Sequence, residues 1–559
     1  MKRQKRNTFF SLGMTIGTGR AAVEKRVCGI CSKKRTAPVW RVASLLFWTA
    51  MGFSCLAAAC QPTPEAPVVV DRREDIPRDA ILTPSETQVP EAEDAIEPAQ
   101  YSVMGHWTET VEKNKFLAMN INADIYMPDV TAYPVERLER VTLTQERVNE
   151  LIAYFTKPGV KFYTGEDVRL KSEYEEDLIY AKQNLQKVLN GGDGETPESI
   201  RAYIKELEKK MANAPETYTY TYVEPVFTFP TDYETGEPRK EEGENSIYVS
   251  IEWPDGSRHG SIGATRYEKD KNTSSSFHFS NISGGYDVES YFTWYDGYLK
   301  QEEENPPAWA NAEWEQDIKR QRDFVNNGLK RMQSNTMDLD VAKQQAVGLL
   351  EELGIRDMQL ISYEKAMFAR EKTTEFKDHL ISGCYVTFAR ECGGIPSATQ
   401  NGGSFSREQD YSELYCAPFG LESVSVLISG EGVEQFEWRG IAQIAEHVTG
   451  HTKLIPLEEL KQDILNHIYF MNAAWVGGQH RGKIRINISE VRLHTTYINA
   501  KDDPERVLIV PAWMVKTQDE RLYDDMDAWM QGNQAEFMIN ALDGSGILMP
   551  GMLDMIKGP

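Results

Sequence analysis

Apolar and polar residues alternate from Phe116 to Met127. Met119, Ile121, Ala123, Ile125 and Met127 fall on one face, and Asn120, Asn122, Asp124 and Tyr126 on the other. That period of two predicts a half-buried strand. The pattern then turns helical. Val148, Leu151, Ile152 and Phe155 form one stripe, Thr144 is placed to cap it, Leu143 and Val148 can close over the first turn, and Pro158-Gly159 stops it. Two further helices follow. One carries Tyr174, Leu178, Ala181, Leu185 and Val188 inward; the other starts at Thr196-Pro197 and carries Ile200, Tyr203, Ile204, Leu207 and Met211. They read as an antiparallel hairpin with solvated, charged outer faces.

Residues 216–300 read as β structure. Tyr218, Tyr220 and Tyr222 alternate with threonines, Ile247–Trp253 runs into the hairpin turn Asp255-Gly256, and Phe277 and Phe279 continue the pattern. Residues 301–307 and a helical stretch at 309–333 form a linker. A second half opens on an amphipathic helix from Met337 to Gly354, closed by its glycine. Strands are expected at 358–370, 383–391, 423–428 and 433–438, helices at 441–449 and 456–470, and strands at 484–498 and 506–515. Glu536–Ser545 reads as a strand running into a turn.

The chain has 559 residues, enough for two to four domains. With 41% hydrophobic and 26% charged residues it fits soluble globular material, not a polytopic membrane protein or a wholly disordered chain. The formal charge of −24 argues against nucleic-acid binding, which needs basic surface. The charge is also unevenly spread. Residues 1–59 carry +10, leaving −34 on the remainder.

That basic segment leads into the uncharged run Val42–Ala59, and Leu56-Ala57-Ala58-Ala59 stands directly before Cys60. A basic region, an apolar run and small residues ahead of a cysteine resemble a bacterial lipobox. The resemblance implies cleavage between Ala59 and Cys60 and acylation of the Cys60 thiol. The protein would then sit on the extracytoplasmic face of the cell membrane, held in lipid through Cys60. A single transmembrane helix is the other reading of the same run. Cys28 and Cys31 lie in the leader, with no second pair at zinc-ribbon spacing. Residues 61–100, with seven prolines and ten acids, read as a tether, within which Val68-Val69-Val70 could dock as an edge strand.

The element order from 337 to 438, the strand Cys384–Cys392 with its turn Gly393-Gly-Ile-Pro396, and Gly432–Trp438 are similar to PepSY-like domains. Val507–Trp513 and Phe537–Gly544 resemble the closing pair of the same unit. Two such units resemble YycH/YycI-type extracytoplasmic regulators, and the whole chain resembles a family of uncharacterised lipoproteins from Gram-positive gut bacteria. The resemblance implies an α+β fold: an N-terminal helix-plus-antiparallel-sheet domain followed by two tandem PepSY-like helix-on-sheet units. The expected boundaries are 1–59 (signal peptide with a long basic leader), 60–105 (tether), 106–333 (α+β domain with the helical hairpin), 334–452 and 453–559 (the two units). In this reading Asp543-Gly544 makes a turn and Pro511–Trp513 packs an edge.

Candidate chemistry is sparse. His447 and His451 share the spacing of helical zinc ligands but lack the glutamate of HExxH. Asp543-Gly-Ser-Gly546 lacks the strand-to-helix setting of a serine nucleophile. Cys384 and Cys392, at opposite ends of one extended strand, are too far apart to bridge, so any disulfide needs Cys416. Acidic pairs such as Asp338/Asp340 and the run Glu302–Glu304 read as caps or solvated faces. Tyr291, Trp294, Tyr295, Tyr298, Trp309 and Trp314 form either core or a stacking platform. The reading is a non-catalytic, lipid-anchored envelope protein. It has no catalytic residue, cofactor or metal, and it binds a protein partner through sheet-edge contacts. A substrate-binding lipoprotein of a transporter and a surface hydrolase are the alternatives.

Overall fold

The computed structural model describes residues 98–548, less 166–168, 190–195, most of 231–244, 269–273, 284, most of 305–311, 371–379, 399–414, 418, 473–481, 501–502 and 524–528. The leader, Ala59, Cys60, Val68–Val70 and Trp309 lie outside the described residues, as does the Cys416 side chain.

The described chain opens with strands β1 (Tyr101–Glu112), β2 (Leu117–Pro128) and β3 (Val135–Arg140), followed by helix α1 (Gln145–Phe155) and strand β4 (Lys161–Thr164). The hairpin α2 (Lys171–Leu189) and α3 (Pro197–Asn213) precedes β5 (Thr221–Tyr222), β6 (Ser246–Glu252), β7 (Arg258–Thr265), β8 (Ser276–Ser280) and β9 (Tyr286–Val288). Three helices follow, α4 (Glu289–Glu304), α5 (Ala312–Gln333) and α6 (Leu339–Glu352). Then come β10 (Met358–Phe368), β11 (Ile381–Cys392), β12 (Ile395–Pro396), β13 (Tyr415–Cys416), β14 (Ser423–Ser429), β15 (Gly432–Arg439) and β16 (Ala442–Thr449). Helix α7 (Leu457–Met471) leads into β17 (Gly482–Ala500), β18 (Asp503–Tyr523), β19 (Met530–Asn540) and β20 (Gly546–Leu548).

These elements build a mixed α+β architecture on two sheets. The first joins the earliest of the described strands to the last. Its order is β1-β2-β17-β18-β19-β20-β13, with β3 bridging β18 and β16. Strand β2 runs parallel to β17, with Met119 opposite Ile486 and Ile121 opposite Ile488. Helix α7 lays Leu460, Ile464 and Ile468 on the apolar face of this sheet, against Met119, Ile121, Ile486 and Trp513.

The second sheet is ordered β5-β4-β6-β7-β8-β15-β14-β11-β10-β9. Its seam is the antiparallel pair β8 and β15, where Phe279 faces Phe436 and Phe277 faces Trp438. Helix α1 supplies Val148, Leu151 and Ile152, and α6 supplies Ala342, Ala346, Leu349 and Leu350, to one core over both sides of the seam. Phe155 stacks on Phe279 at 4.9 Å. The Arg147 guanidinium donates to the Leu353 carbonyl and the Tyr154 hydroxyl to Glu352, tying the two helices together. Both sheets therefore draw strands from either side of residue 334.

The local signals hold where they were strongest. Thr144 accepts from the Arg147 amide at 3.2 Å and Thr196 from the Ser199 amide at 3.3 Å, each capping its helix. Asp338 caps α6, and Gly354 ends it at φ 66°. Three expectations are corrected. Residues 442–449 form strand β16, not a helix, because they pair with β3 across some three hundred residues. Residues 289–304 are helical because Phe292, Tyr295 and Leu299 recur at helical spacing and are all buried. Pro511–Trp513 lies inside the sheet: β18 pairs with β17 through Pro511, and Trp513 is buried in the α7 core.

Candidate functional site

The groups with catalytic spacing are placed apart or tied up. His447 lies on β16, with Nδ1 2.9 Å from Glu136 Oε1, while His451 Nδ1 accepts from the Tyr133 amide at 3.3 Å. A strand cannot present residues four apart as a helix turn does. Among the described residues, no group of three or more His, Cys, Asp or Glu side chains is placed to hold a metal ion. Asp543 is buried and accepts from the Ser545 amide at 2.9 Å and its hydroxyl at 2.7 Å, closing the turn at Gly544. Cys384 and Cys392 are free and buried on β11. Burial pushes the Cys384 thiol up to about 11 and the Cys392 thiol well above its ordinary value, away from the nucleophilic thiolate.

Where the two sheets meet, ionisable groups are buried together. Arg390 on β11 donates through Nε to Glu422 at 2.8 Å, through Nη1 to Asp357 at 3.0 Å and through Nη2 to the Ala442 carbonyl at 2.7 Å. Trp438 Nε1 donates to the other Glu422 oxygen at 2.8 Å. Glu136 on β3 and Glu391 on β11 are buried beside them, and burial raises both carboxyls above the usual range. These contacts tie β11 of the second sheet to β16 of the first, so the cluster reads as a pin between the sheets.

Two accessible features belong to the first sheet. Strand β1 pairs with β2 on one side and, among the described residues, ends the sheet on the other. It is twelve residues long, with Val103 59% and Met104 65% exposed. Among the described residues, its N–H and C=O groups on the outer side form an unpaired row.

The face of this sheet opposite α7 is polar. Thr110 of β1 lies opposite Asn120 of β2, Asn120 opposite Asn487 of β17, Asn487 opposite Gln518 of β18, and Gln518 opposite Gln534 of β19. Directly opposed residues share a face, so one polar side chain per strand forms a line across five strands, about 19 Å wide at the usual strand spacing. Asn120 Nδ2 donates to Asn487 Oδ1 at 3.2 Å, and Gln518 Nε2 donates to the Gly532 carbonyl at 2.8 Å. Some charged groups on this face are paired, Arg485 with Glu520 at 3.0 Å, Arg492 with Glu490 at 3.0 Å and His106 with Asp124 at 2.8 Å, while Lys483 and Lys516 stand exposed on it.

The aromatic run on α4 divides. Tyr295 is core, packed with Leu299, Ile318 and Val325, while Trp294 is 52% exposed and stacked on Tyr298 at 6.0 Å. Among the described residues, no helix is long and apolar enough to cross a membrane.

No protein-family model matches the chain, and no curated protein matches it. It is similar to a solved structure of an uncharacterized protein from Eubacterium rectale, with a TM-score of 0.37 at 12% identity over 79% of this chain and 93% of that one.

Proposed function

We propose that the chain is a non-catalytic, lipid-anchored envelope protein that binds an extended segment of an envelope protein along the free edge of β1. In this reading the leader is cut between Ala59 and Cys60, Cys60 carries the lipid on the extracytoplasmic face, and the acidic tether leads to the first strand. The observation that carries the binding role is β1 itself: a twelve-residue strand at the end of a sheet, placed next after the tether. A row of backbone donors and acceptors takes an incoming strand by ladder hydrogen bonds, and neighbouring side chains give selectivity. The order helix-then-antiparallel-strands, seen in α6 with β10, β11, β14 and β15 and in α7 with β17, β18 and β19, supports a PepSY-type regulatory reading.

A photo-crosslinking residue in place of Met104, expressed in intact cells, is expected to give a discrete adduct with one envelope protein. Adding lysine at Val103, a residue that guards natural sheet edges, is expected to reduce that adduct at least about tenfold. The melting temperature should stay unchanged, because the Val103 side chain is mostly exposed. An adduct yield indifferent to Val103→Lys contradicts edge binding.

A further inference from the structure

Strand β1 is long for an edge that no other described strand covers. It has twelve residues, and Val103 and Met104 stand 59% and 65% exposed on it. Natural sheets guard or cover such edges, because an open row of N–H and C=O groups pairs with whatever strand it meets. β1 carries neither lysine nor proline to guard it. The chain just before it holds a matching strand. Residues 61–97 carry prolines at 62, 64, 67, 77, 84 and 90. Proline has no N–H for a ladder and is kept out of paired strands. The longest stretch between these prolines is 68–76, nine residues that open on Val68-Val69-Val70, whose β-branched side chains favour an extended backbone. It also holds Arg72 and Arg73, two of the three basic residues in 61–97, while β1 carries Glu109 and Glu112.

We propose that residues 68–76 lie on the outer edge of β1 as a parallel strand and hold that edge until the envelope partner displaces them. The proposal rests on the edge reading above and adds how that site is regulated. Charge sets the direction. In a parallel ladder with Val68 opposite Met104, the nine residues run along β1 to Glu112, Arg73 falls opposite Glu109, and no like charges stand directly opposed. In an antiparallel ladder, valines placed on Val103 and Met104 carry both arginines to the end of β1 remote from its two glutamates. A parallel pair needs a connection of about a dozen residues or more, and 77–97 supplies twenty-one. They can reach about 70 Å, against about 40 Å for the length of β1. Their end point is fixed beside Tyr101, where the Asp129 amide donates to the Gln100 carbonyl at 3.0 Å. A segment tied this closely has an effective concentration of about a millimolar, so a weak strand holds the edge and a better one takes it. Docking also shortens the anchor. Seven residues, 61–67, then join Cys60 to the sheet, and displacement lets out all thirty-seven of 61–97.

The test uses the detergent-solubilised full chain with the photo-crosslinking residue at Met104, and the same chain in intact cells. Illumination of the purified protein is expected to give an intrachain adduct that peptide mass spectrometry maps to 67–71. Val69→Pro, which removes a ladder donor from the middle of the valines, is expected to cut that adduct about tenfold and to leave the melting temperature unchanged. In cells the same change is expected to raise the partner adduct at least about twofold, because the edge is no longer shared. Hydrogen exchange reads the docking without the probe: amides in 68–76 are expected to exchange about tenfold more slowly in the wild-type chain than in Val69→Pro. An intrachain adduct that Val69→Pro leaves intact, an adduct joining two copies of the chain in its place, a partner adduct that Val69→Pro does not raise, or equal exchange in the two proteins overturns the proposal. A purified chain without the intrachain adduct overturns it even where the partner adduct forms in cells. An intrachain adduct with no partner adduct in cells keeps the docked strand and overturns the partner reading, so the two fail separately.

Discussion

Replacing Arg390 by alanine is expected to destabilise the protein by about 3–5 kcal/mol, the usual cost of orphaning a buried ionic partner. The guanidinium is 4% exposed and reaches Glu422, Asp357 and the Ala442 carbonyl at once, so it joins β11, the turn before β10, the segment before β14 and the start of β16. Without it, Glu422 stays buried with Trp438 Nε1 as its side-chain donor among the described residues. Burial already pushes that carboxyl up, against the pull of Arg390. The double variant Arg390→Met/Glu422→Leu should recover most of the loss, because it removes both charges and keeps the volume filled. Denaturant unfolding of the three proteins checks this. A loss below about 1 kcal/mol for Arg390→Ala would mean that the pair is solvated like a surface bridge.

The second large effect is a pH dependence carried by His467. This side chain on α7 is 2% exposed, its Nε2 has no partner among the described residues, and burial lowers its pKa to about 4. The unfolded chain titrates near the ordinary value of about 6.5. Between these values the unfolded state binds more protons, so stability is full above about pH 6.5 and falls as the pH drops towards about 4, by about 3 kcal/mol for this group. His494, also lowered to about 4 by burial and by Arg492, adds in the same sense. Glu136 and Glu391 act in the opposite sense, since their raised carboxyls bind more protons in the folded state, and that contribution is lost as the pH rises through their folded values. The contribution of His467 is therefore read as a difference. His467→Leu should flatten the stability curve between about pH 6.5 and 4 by about 1.4 kcal/mol per pH unit. Parallel curves for the two proteins would show that His467 is accessible to protons in the folded state.

How much of this was legible depends on where the information sits. Caps and stripes are local, so Thr144, Thr196 and Asp338 announced their helices, and the alternation in 117–128 announced both faces of β2. Asn120, Asn122 and Asp124 were already visible as its outward residues. Their continuation through Asn487, Gln518 and Gln534 was not, because it exists only once β2 pairs in parallel with β17, more than three hundred residues on. Strand β16 misread as a helix for the same reason: its ladder partner β3 is remote. The seam of Phe279 on Phe436 likewise joins segments that carry no sign of each other. Arg390 and Glu422 were invisible as a pair, since a buried ion pair has no sequence period. Strand β1 was not foreseen, because an edge strand exposed on most of its residues shows little hydrophobic alternation.

The central claim, attachment through a lipid on Cys60, is tested most directly by metabolic labelling with a palmitate analogue followed by membrane fractionation. The account predicts that the wild-type chain takes up label and sediments with the membrane, and that Cys60→Ala takes up none. Label persisting on Cys60→Ala would contradict it.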